Sequence, residues 1–439
     1  MANPSRKMTR RELLKTAGLA AGAVGLAPLA AAPARAAAPA VGTRRRLHFL
    51  RWNSFVGAED KWHVEFLQEH WAKPNNVELV IESMAMNDLQ AKLSVALESG
   101  TGPDIVHLQH NWSHLYAPKL LDVSAICEKQ GRDGGGFYDV AKAFSFVKDT
   151  WRSVPFGVLG NMEIYRTDWL KEIGESKYPD TWQEFNRVSK LMKQKNKGPA
   201  GQAIAHSSSD PNNFCYLWTW SFGGKEVLED GKTVAINSKE TLAAVEFMVQ
   251  FFKESLTPDM LGWDDTSNNR AYLGEQVWST LNGSSVYLVA KKDFPKLVEV
   301  SDHAPVPRGP AGRFCMGYNY NYAIPSYVKD PAPAKELLAF MVEPKTYASF
   351  MNVSAGYTTG PTKNQEKDPV WNKDPKLTLF KDVSYFKWPG FPGPPSAPAA
   401  AAMSKYIMVD MYTKAIQGLE PKKAVEWAET ELKAIYGRA

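Results

Sequence analysis

Between residues 47 and 108 the hydrophobic period of the chain switches repeatedly between strand-like and helix-like, and this alternation limits the possible folds more than any other feature. Residues 47–52 form an apolar run of strand length, broken at 53–57. Trp62, Phe66 and Trp71 recur near helical spacing, so 58–72 is predicted as an amphipathic helix, stopped by Pro74-Asn75-Asn76. Residues 77–81 give a second strand. Leu89, Leu93 and Leu97 mark a second helix, closed by Gly100 and Gly102, and 104–108 is a third strand. Strands alternating with helices imply βαβ units and a mainly parallel sheet. Ligands of such α/β sheets collect at the carboxyl ends of strands. Those ends carry Trp52-Asn53 and Gln109-His110-Asn111-Trp112.

With 439 residues, 44% hydrophobic and 23% charged, the chain is long enough for two or three domains, each with its own core. Its formal charge of +5 invites a polyanion partner, but the excess is local. Residues 1–36 hold Arg6, Lys7, Arg10, Arg11, Lys15 and Arg35 against Glu12, a net of +5, and the remainder sums to zero. A nucleic-acid partner therefore loses its electrostatic support. The same segment has a basic start, an apolar stretch from 13 to 32 and a small-residue site at Ala34-Arg35-Ala36, the three parts of a cleaved export signal. Its Ala/Gly composition, with Pro28 and Pro33, argues against a membrane anchor. Arg10-Arg11 followed by Leu13-Leu14-Lys15 is similar to a twin-arginine signal, so the mature chain is expected in the periplasm or outside the cell, cleaved near Ala36. Cys127, Cys215 and Cys315 form no disulfide framework or zinc pattern. A Cys215–Cys315 bridge and buried free thiols both remain open, and no cofactor or metal is expected.

Further on, Ser153-Val154-Pro155-Phe156-Gly157 is a crossing segment. Thr181 and Glu184 form a capping box ahead of Phe185, Val188 and Met192 on one helical face. Asn237 and Glu240 are placed at the start of another helix. Residues 277–281 are a strand ending in Asn282-Gly283, and Ser284 or Ser285 can cap the helix after it. Residues 314–324 are Tyr/Asn-rich and extended, helices fill 332–351, and the prolines of 388–398 make that stretch a loop.

The order of these motifs resembles the sugar-binding family of extracellular solute-binding proteins of ABC importers, related to maltodextrin-binding protein. The resemblance rests on Gly100-Thr101-Gly102-Pro103-Asp104-Ile105-Val106, Val154-Pro155-Phe156-Gly157-Val158, Tyr165-Arg166-Thr167-Asp168-Trp169-Leu170, Asp180-Thr181-Trp182-Gln183-Glu184-Phe185, Trp220-Ser221-Phe222-Gly223-Gly224 and Gly418-Leu419-Glu420-Pro421-Lys422-Lys423-Ala424. It implies an α/β, two-lobed, periplasmic-binding-protein-like (type II) fold, with hinge-connected lobes and a ligand cleft between them. Lobe 1 would hold residues 45–153 and 317–365, and lobe 2 residues 154–316 and 366–439. It further implies no enzymatic activity, a small-molecule solute such as a sugar, oligosaccharide or polyol, the transmembrane subunits of an ABC permease as partners, and a monomer.

A sugar cleft needs amides and carboxylates for hydroxyls and aromatic faces for C–H patches. The candidates are Trp52, Asn53, His110, Asn111, Trp220, Asn282, Tyr318, Asn319, Tyr357 and Trp388. Each has a structural alternative: Trp52 as a strand-end plug, His110 as a hydrogen-bonded loop histidine, Trp220 as core under the Gly223-Gly224 turn, Asn282 as a turn former. Tyr318, Asn319 and Asn321 alternate along one extended segment, so some of them must face the cleft. Asp88 reads as a helix cap. Two rival functions remain open. A glycerol-phosphodiester-like anion could use the helix start at Ser284-Ser285. A secreted glycoside hydrolase would need two carboxyls about 5–10 Å apart across the cleft.

Overall fold

The computed structural model describes residues 45–438, and the export-signal reading of 1–36 lies outside them. In chain order the principal strands are β1 (Arg45–Trp52), β2 (Val77–Met84), β3 (Ile105–Leu108), β4 (Val154–Leu159), β5 (Met162–Arg166), β6 (Ala200–Gly201), β7 (Ser279–Asn282), β8 (Ser301–Ala304) and β9 (Tyr318–Ala323). They build two sheets. The first has the order β2-β1-β3-β9-β4 and the second β8-β5-β7-β6.

The opening alternation produces the parallel half of the first sheet. β1 runs parallel to β2, with Leu47 opposite Leu79, and parallel to β3, with Leu50 opposite Val106. Phe49, Leu50, Ile105 and Val106 are fully buried, as central strands covered on both faces should be. The predicted helix at 58–72 starts as α-helix over Gly57–Lys61 and widens into two π turns, Trp62–Phe66 and Gln68–Ala72. Trp62 and Trp71 face inward from it. The helix before β3 runs over Met86–Ser99 from an uncapped Ala85, so Asp88 lies inside its first turn and does not cap it.

The Tyr/Asn-rich segment becomes β9, inserted antiparallel between β3 and β4. The chain leaves the first sheet at Leu159 and enters the second at Met162, with only Gly160-Asn161 between. Tyr318 of β9 pairs with Leu159, and Asn282 of β7 pairs with Met162. The ends of β7 and β9 therefore converge on that two-residue joint.

Four helices matter for the second half: α1 (Trp182–Gln194), α2 (Asp210–Phe222), α3 (Lys239–Ser255) and α4 (Ile407–Ile416). Helix α1 carries the predicted capping box: the Thr181 hydroxyl accepts the Glu184 N–H at 3.2 Å, and the Glu184 carboxylate accepts the Thr181 N–H at 3.2 Å. Helix α3 starts one residue later than expected, capped by Ser238, whose hydroxyl accepts the Thr241 N–H at 3.1 Å. Helix α2 is buried along its length from Pro211 to Phe222, with Phe214, Cys215, Tyr216, Leu217, Trp218 and Trp220 spread around its faces and Asn212, Asn213, Thr219 and Ser221 buried among them. Trp182 and Trp218 pack at 4.7 Å between ring centres, and the Trp218 indole donates to the Ala244 carbonyl at 3.0 Å. This aromatic layer anchors α2 and thereby fixes where its N-terminal end projects. All three cysteines are buried free thiols, so no Cys215–Cys315 bridge forms.

Candidate functional site

The carboxyl ends of β1 and β3, the start of β9, the Gly160-Asn161 joint, the end of β7 and the start of α2 meet around a cavity of about 40 Å³. Trp52 and Phe55 line it from the first sheet, packed edge to face with centroids 5.2 Å apart. Tyr318 and Tyr320, two residues apart on β9, and Tyr357 form its floor. Gly283 follows β7 because the Tyr357 ring approaches so closely that a Cβ there would meet it at 3.2 Å. Asn161, Asp210 and Asn282 close the opposite side. A second cavity of about 150 Å³ lies on the other side of Trp52 and Phe55 and adds Asn53, Ser207, Asp264 and Asp265. A crevice of about 10 Å³ continues past His110, Trp112, Asn212 and Tyr406.

Asp210 is the ionisable centre of the arrangement. Its carboxylate accepts the Tyr318 hydroxyl at 3.1 Å and the Asn268 amide at 2.9 Å. Its backbone N–H donates to the Asp265 carboxylate at 2.8 Å. Asp210 keeps some accessible surface toward the cavity, yet protein surrounds it, and burial together with the charge of Asp265 pushes its carboxyl up to about 8. Burial raises Asp265 as well. No lysine or arginine lines any of the three spaces. The His110 imidazole is pushed down to about 3 by burial and is neutral.

The walls also carry polar atoms that the protein itself does not satisfy. Gln109 Oε1, His110 Nε2, Asn161 Nδ2 and Asn212 Oδ1 are buried without a hydrogen-bond partner. A buried polar atom left unmade costs about 1–3 kcal/mol. Four of them on one set of cavities, donors and acceptors mixed, form a surface suited to a solute rich in hydroxyls.

Of the residues predicted from sequence, Trp52, Asn282, Tyr318 and Tyr357 meet at the central cavity, and Asn53 lines the adjoining one. His110 lines the crevice; its backbone is left-handed (φ +43°), held by Asn319 Oδ1, which accepts its N–H at 2.5 Å. Four others point elsewhere. Asn319 lies on the face of β9 opposite Tyr318 and Tyr320 and acts through that bond to His110. Asn111 donates to the Pro389 carbonyl at 2.9 Å. Trp220 is buried against Tyr216, Phe314 and Phe391, the core alternative. Trp388 donates its indole N–H to the Gly393 carbonyl at 3.0 Å within its own loop. Phe55, Gln109, Asn161, Asp210, Tyr320 and Asp265 were not among the candidates. The one local signal for Asp210 is Ser207-Ser208-Ser209-Asp210-Pro211, a helix start ahead of a continuous apolar run.

Two α/β sheets joined through a two-residue crossing, with an aromatic and polar cavity at the joint, define a two-lobed binding protein. The chain belongs to the bacterial extracellular solute-binding protein family, whose pattern it matches over residues 57–348. Among solved structures, the maltose-bound MalE3 of T. maritima is 20% identical with a TM-score of 0.77, covering 89% of this chain and 99% of that one. A solute-binding protein of an ABC transporter from Thermotoga lettingae, bound with α-D-tagatose, is 16% identical with a TM-score of 0.78, covering 90% of this chain and 100% of that one. One from Agrobacterium radiobacter K84 in complex with ribitol is 19% identical with a TM-score of 0.74, covering 89% of this chain and 98% of that one. These place the fold as periplasmic-binding-protein-like, type II. Comparison with curated proteins gives no match.

Proposed function

We propose that the chain is the exported solute-binding component of an ABC importer, taking up a carbohydrate or polyol and handing it to the membrane permease. The observation that carries this reading is the mixture in the cavity walls: aromatic faces from Trp52, Phe55, Tyr318, Tyr320 and Tyr357 beside unpartnered buried polar atoms of Gln109 and Asn161. Sugars and polyols present that same mixture of C–H faces and hydroxyls. The sugars and the polyol bound by the structurally similar proteins support it. A space of about 40 Å³ takes only a few waters, at roughly 10–15 Å³ each. Uptake of a sugar ring therefore requires the two sheets to part and close again, with binding shifting the balance toward the closed form.

The sequence boundaries assign residues 45–153 and 317–365 to lobe 1 and residues 154–316 and 366–439 to lobe 2, but β4 at 154–159 pairs within the first sheet, so in this reading lobe 1 extends through Leu159. The pairing of β4 with β9 favours placing the first crossing at Gly160-Asn161. The protein works as a monomer without cofactor or catalysis, after twin-arginine export to the periplasm or cell exterior. An anionic solute is disfavoured because the walls hold carboxylates and no lysine or arginine. The hydroxyls at the suggested anion site are also engaged, Ser284 donating to the Gly356 carbonyl at 3.1 Å and Ser285 to Asn282 Oδ1 at 3.2 Å. A hydrolase is disfavoured because Asp210 is the one carboxylate lining the central cavity, with no second carboxyl across it among the described residues.

The test is a thermal-shift panel of sugars, polyols and organophosphates on the mature protein. A ligand at 100 times its dissociation constant adds about 2.7 kcal/mol. A shift with charged phosphates and none with any sugar or polyol refutes the substrate class, and turnover of a chromogenic glycoside refutes the non-enzymatic role.

A further inference from the structure

We infer that the cleft selects a solute carrying a protonated amine beside its hydroxyls, an amino sugar or aminopolyol; this rests on the carbohydrate reading above and narrows it. Three observations carry it. First, Asp210 and Asp265 sit together at the boundary between the two larger cavities, the backbone of one donating to the carboxylate of the other at 2.8 Å. Second, neither has an ion-pair partner among the described residues. Their neighbour Asp264, which is exposed at the rim, pairs instead with Arg270 at 3.8 Å. Third, the faces opposite the carboxylates are aromatic: Trp52, Phe55, Tyr320 and Tyr357.

Neutral sugars are also held by carboxylates, which accept their hydroxyl protons, so carboxylates alone do not discriminate. The lack of any balancing cation does. Closing on a neutral solute would either bury uncompensated negative charge, at a desolvation cost, or leave Asp210 protonated and a weaker acceptor. The resting site shows this tension, since burial and the neighbouring carboxylate drive Asp210 up to about 8. An ammonium placed between the carboxylate pair and the rings offsets the buried charge. It also gains the attraction of a cation to aromatic faces, strongest for indole. The unpartnered Asn161 and Gln109 then take hydroxyls on the same ring. An acetylated amine of the same shape has no charge and forfeits the gain.

The experiment is calorimetric titration of the mature protein at neutral pH with matched pairs: D-glucosamine against D-glucose, D-galactosamine against D-galactose, and N-acetyl-D-glucosamine as the uncharged amide. The same pairs are run on Asp210→Asn and Asp265→Asn, with thermal melts to establish that each variant is folded. The expected result is binding of an amine at least about tenfold tighter than its neutral partner, a difference of about 1.4 kcal/mol. The preference disappears with the N-acetyl compound and falls several-fold in Asp210→Asn. Asp265→Asn reads the same charge if Asp210→Asn unfolds. Equal or tighter binding of the neutral partner overturns the inference and leaves the carbohydrate reading standing, as does an amine preference that survives in both variants. Failure of both amino sugars to bind while a neutral sugar or polyol of the thermal-shift panel does overturns the inference alone, and failure of that whole panel together with these sugars overturns both.

Discussion

Trp220 and Trp52 are both buried tryptophans, 3% and 7% exposed, and the structure gives them opposite roles. Trp220 packs against Tyr216, Phe314 and Phe391 at centroid distances of 5.5, 6.5 and 5.8 Å and lines no part of the cavity. Trp52 touches Phe55 and Tyr320 and lines both of the larger spaces. Removing a tryptophan that buries 150–250 Å² forfeits about 4–6 kcal/mol by area, and buried Trp→Ala changes cost about 3–5 kcal/mol. Against a total of about 5–15 kcal/mol, Trp220→Ala leaves a marginal protein, so Trp220→Leu serves as the milder partner. For Trp220→Leu we expect a lower urea midpoint and a solute dissociation constant within about twofold of the parent. For Trp52→Ala we expect binding weakened by about 1–3 kcal/mol, beyond its own loss of stability. Urea denaturation and calorimetric titration with the tightest solute from the panel read the two quantities separately. A Trp220 variant that keeps its stability but binds tenfold more weakly would refute the placement of that ring.

Three further outcomes are expected. Glu226 is buried, accepts the Tyr216 and Tyr436 hydroxyls at 2.7 and 2.5 Å, and is pushed up to about 7 by burial. A folded-state value raised above the unfolded one favours the protonated form. Its stabilisation is therefore complete below about pH 4.5 and lost as pH rises toward 7, at up to about 1.4 kcal/mol per unit. Glu226→Gln should lose less stability between pH 5 and 8 than the parent, and identical pH profiles in denaturant would count against it. Thr181→Ala removes one side of a capping box and should cost about 1 kcal/mol in denaturant unfolding, with binding unchanged; a neutral result means the cap contributes nothing. Replacing Arg10-Arg11 by lysines should strand the chain in the cytoplasm, seen by cell fractionation, and undiminished export would exclude the twin-arginine route.

The first sheet was legible because its strands are short, continuously apolar and separated by helices with a clear period. The site was legible only where a strand end announced it, as at Trp52 and Asn282. β9 shows why the rest was not. Tyr318, Asn319, Tyr320 and Asn321 are all buried, so no contrast of polarity tells the two faces apart, and neighbours fixed by pairing with β3 and β4 decide which residues meet the cavity. Asn161 carries no local mark and Asp210 only that of a helix start, since their position depends on a joint and on a helix anchored by distant tryptophans. Trp220 misled for the opposite reason: a tryptophan before paired glycines suggests a cleft platform, whereas its packing against Tyr216, Phe314 and Phe391 depends on partners far apart in the sequence.

The place of β9 has a consequence for how the chain can be made. Inside its sheet β4 has β9 as its only partner, and its other side is bridged by Thr359. β3 likewise has β9 on one edge. Both partners come from beyond residue 317, after all the strands of the second sheet have been synthesised. Until the ribosome passes residue 323, β3 and β4 each present a row of unpaired amides and carbonyls, the kind of edge on which chains aggregate. The first lobe to be translated is thus among the last parts to be completed. Amino-terminal fragments that stop short of β9 should need a chaperone to remain soluble, and a folded protein cannot be offered to any export machinery before that strand arrives.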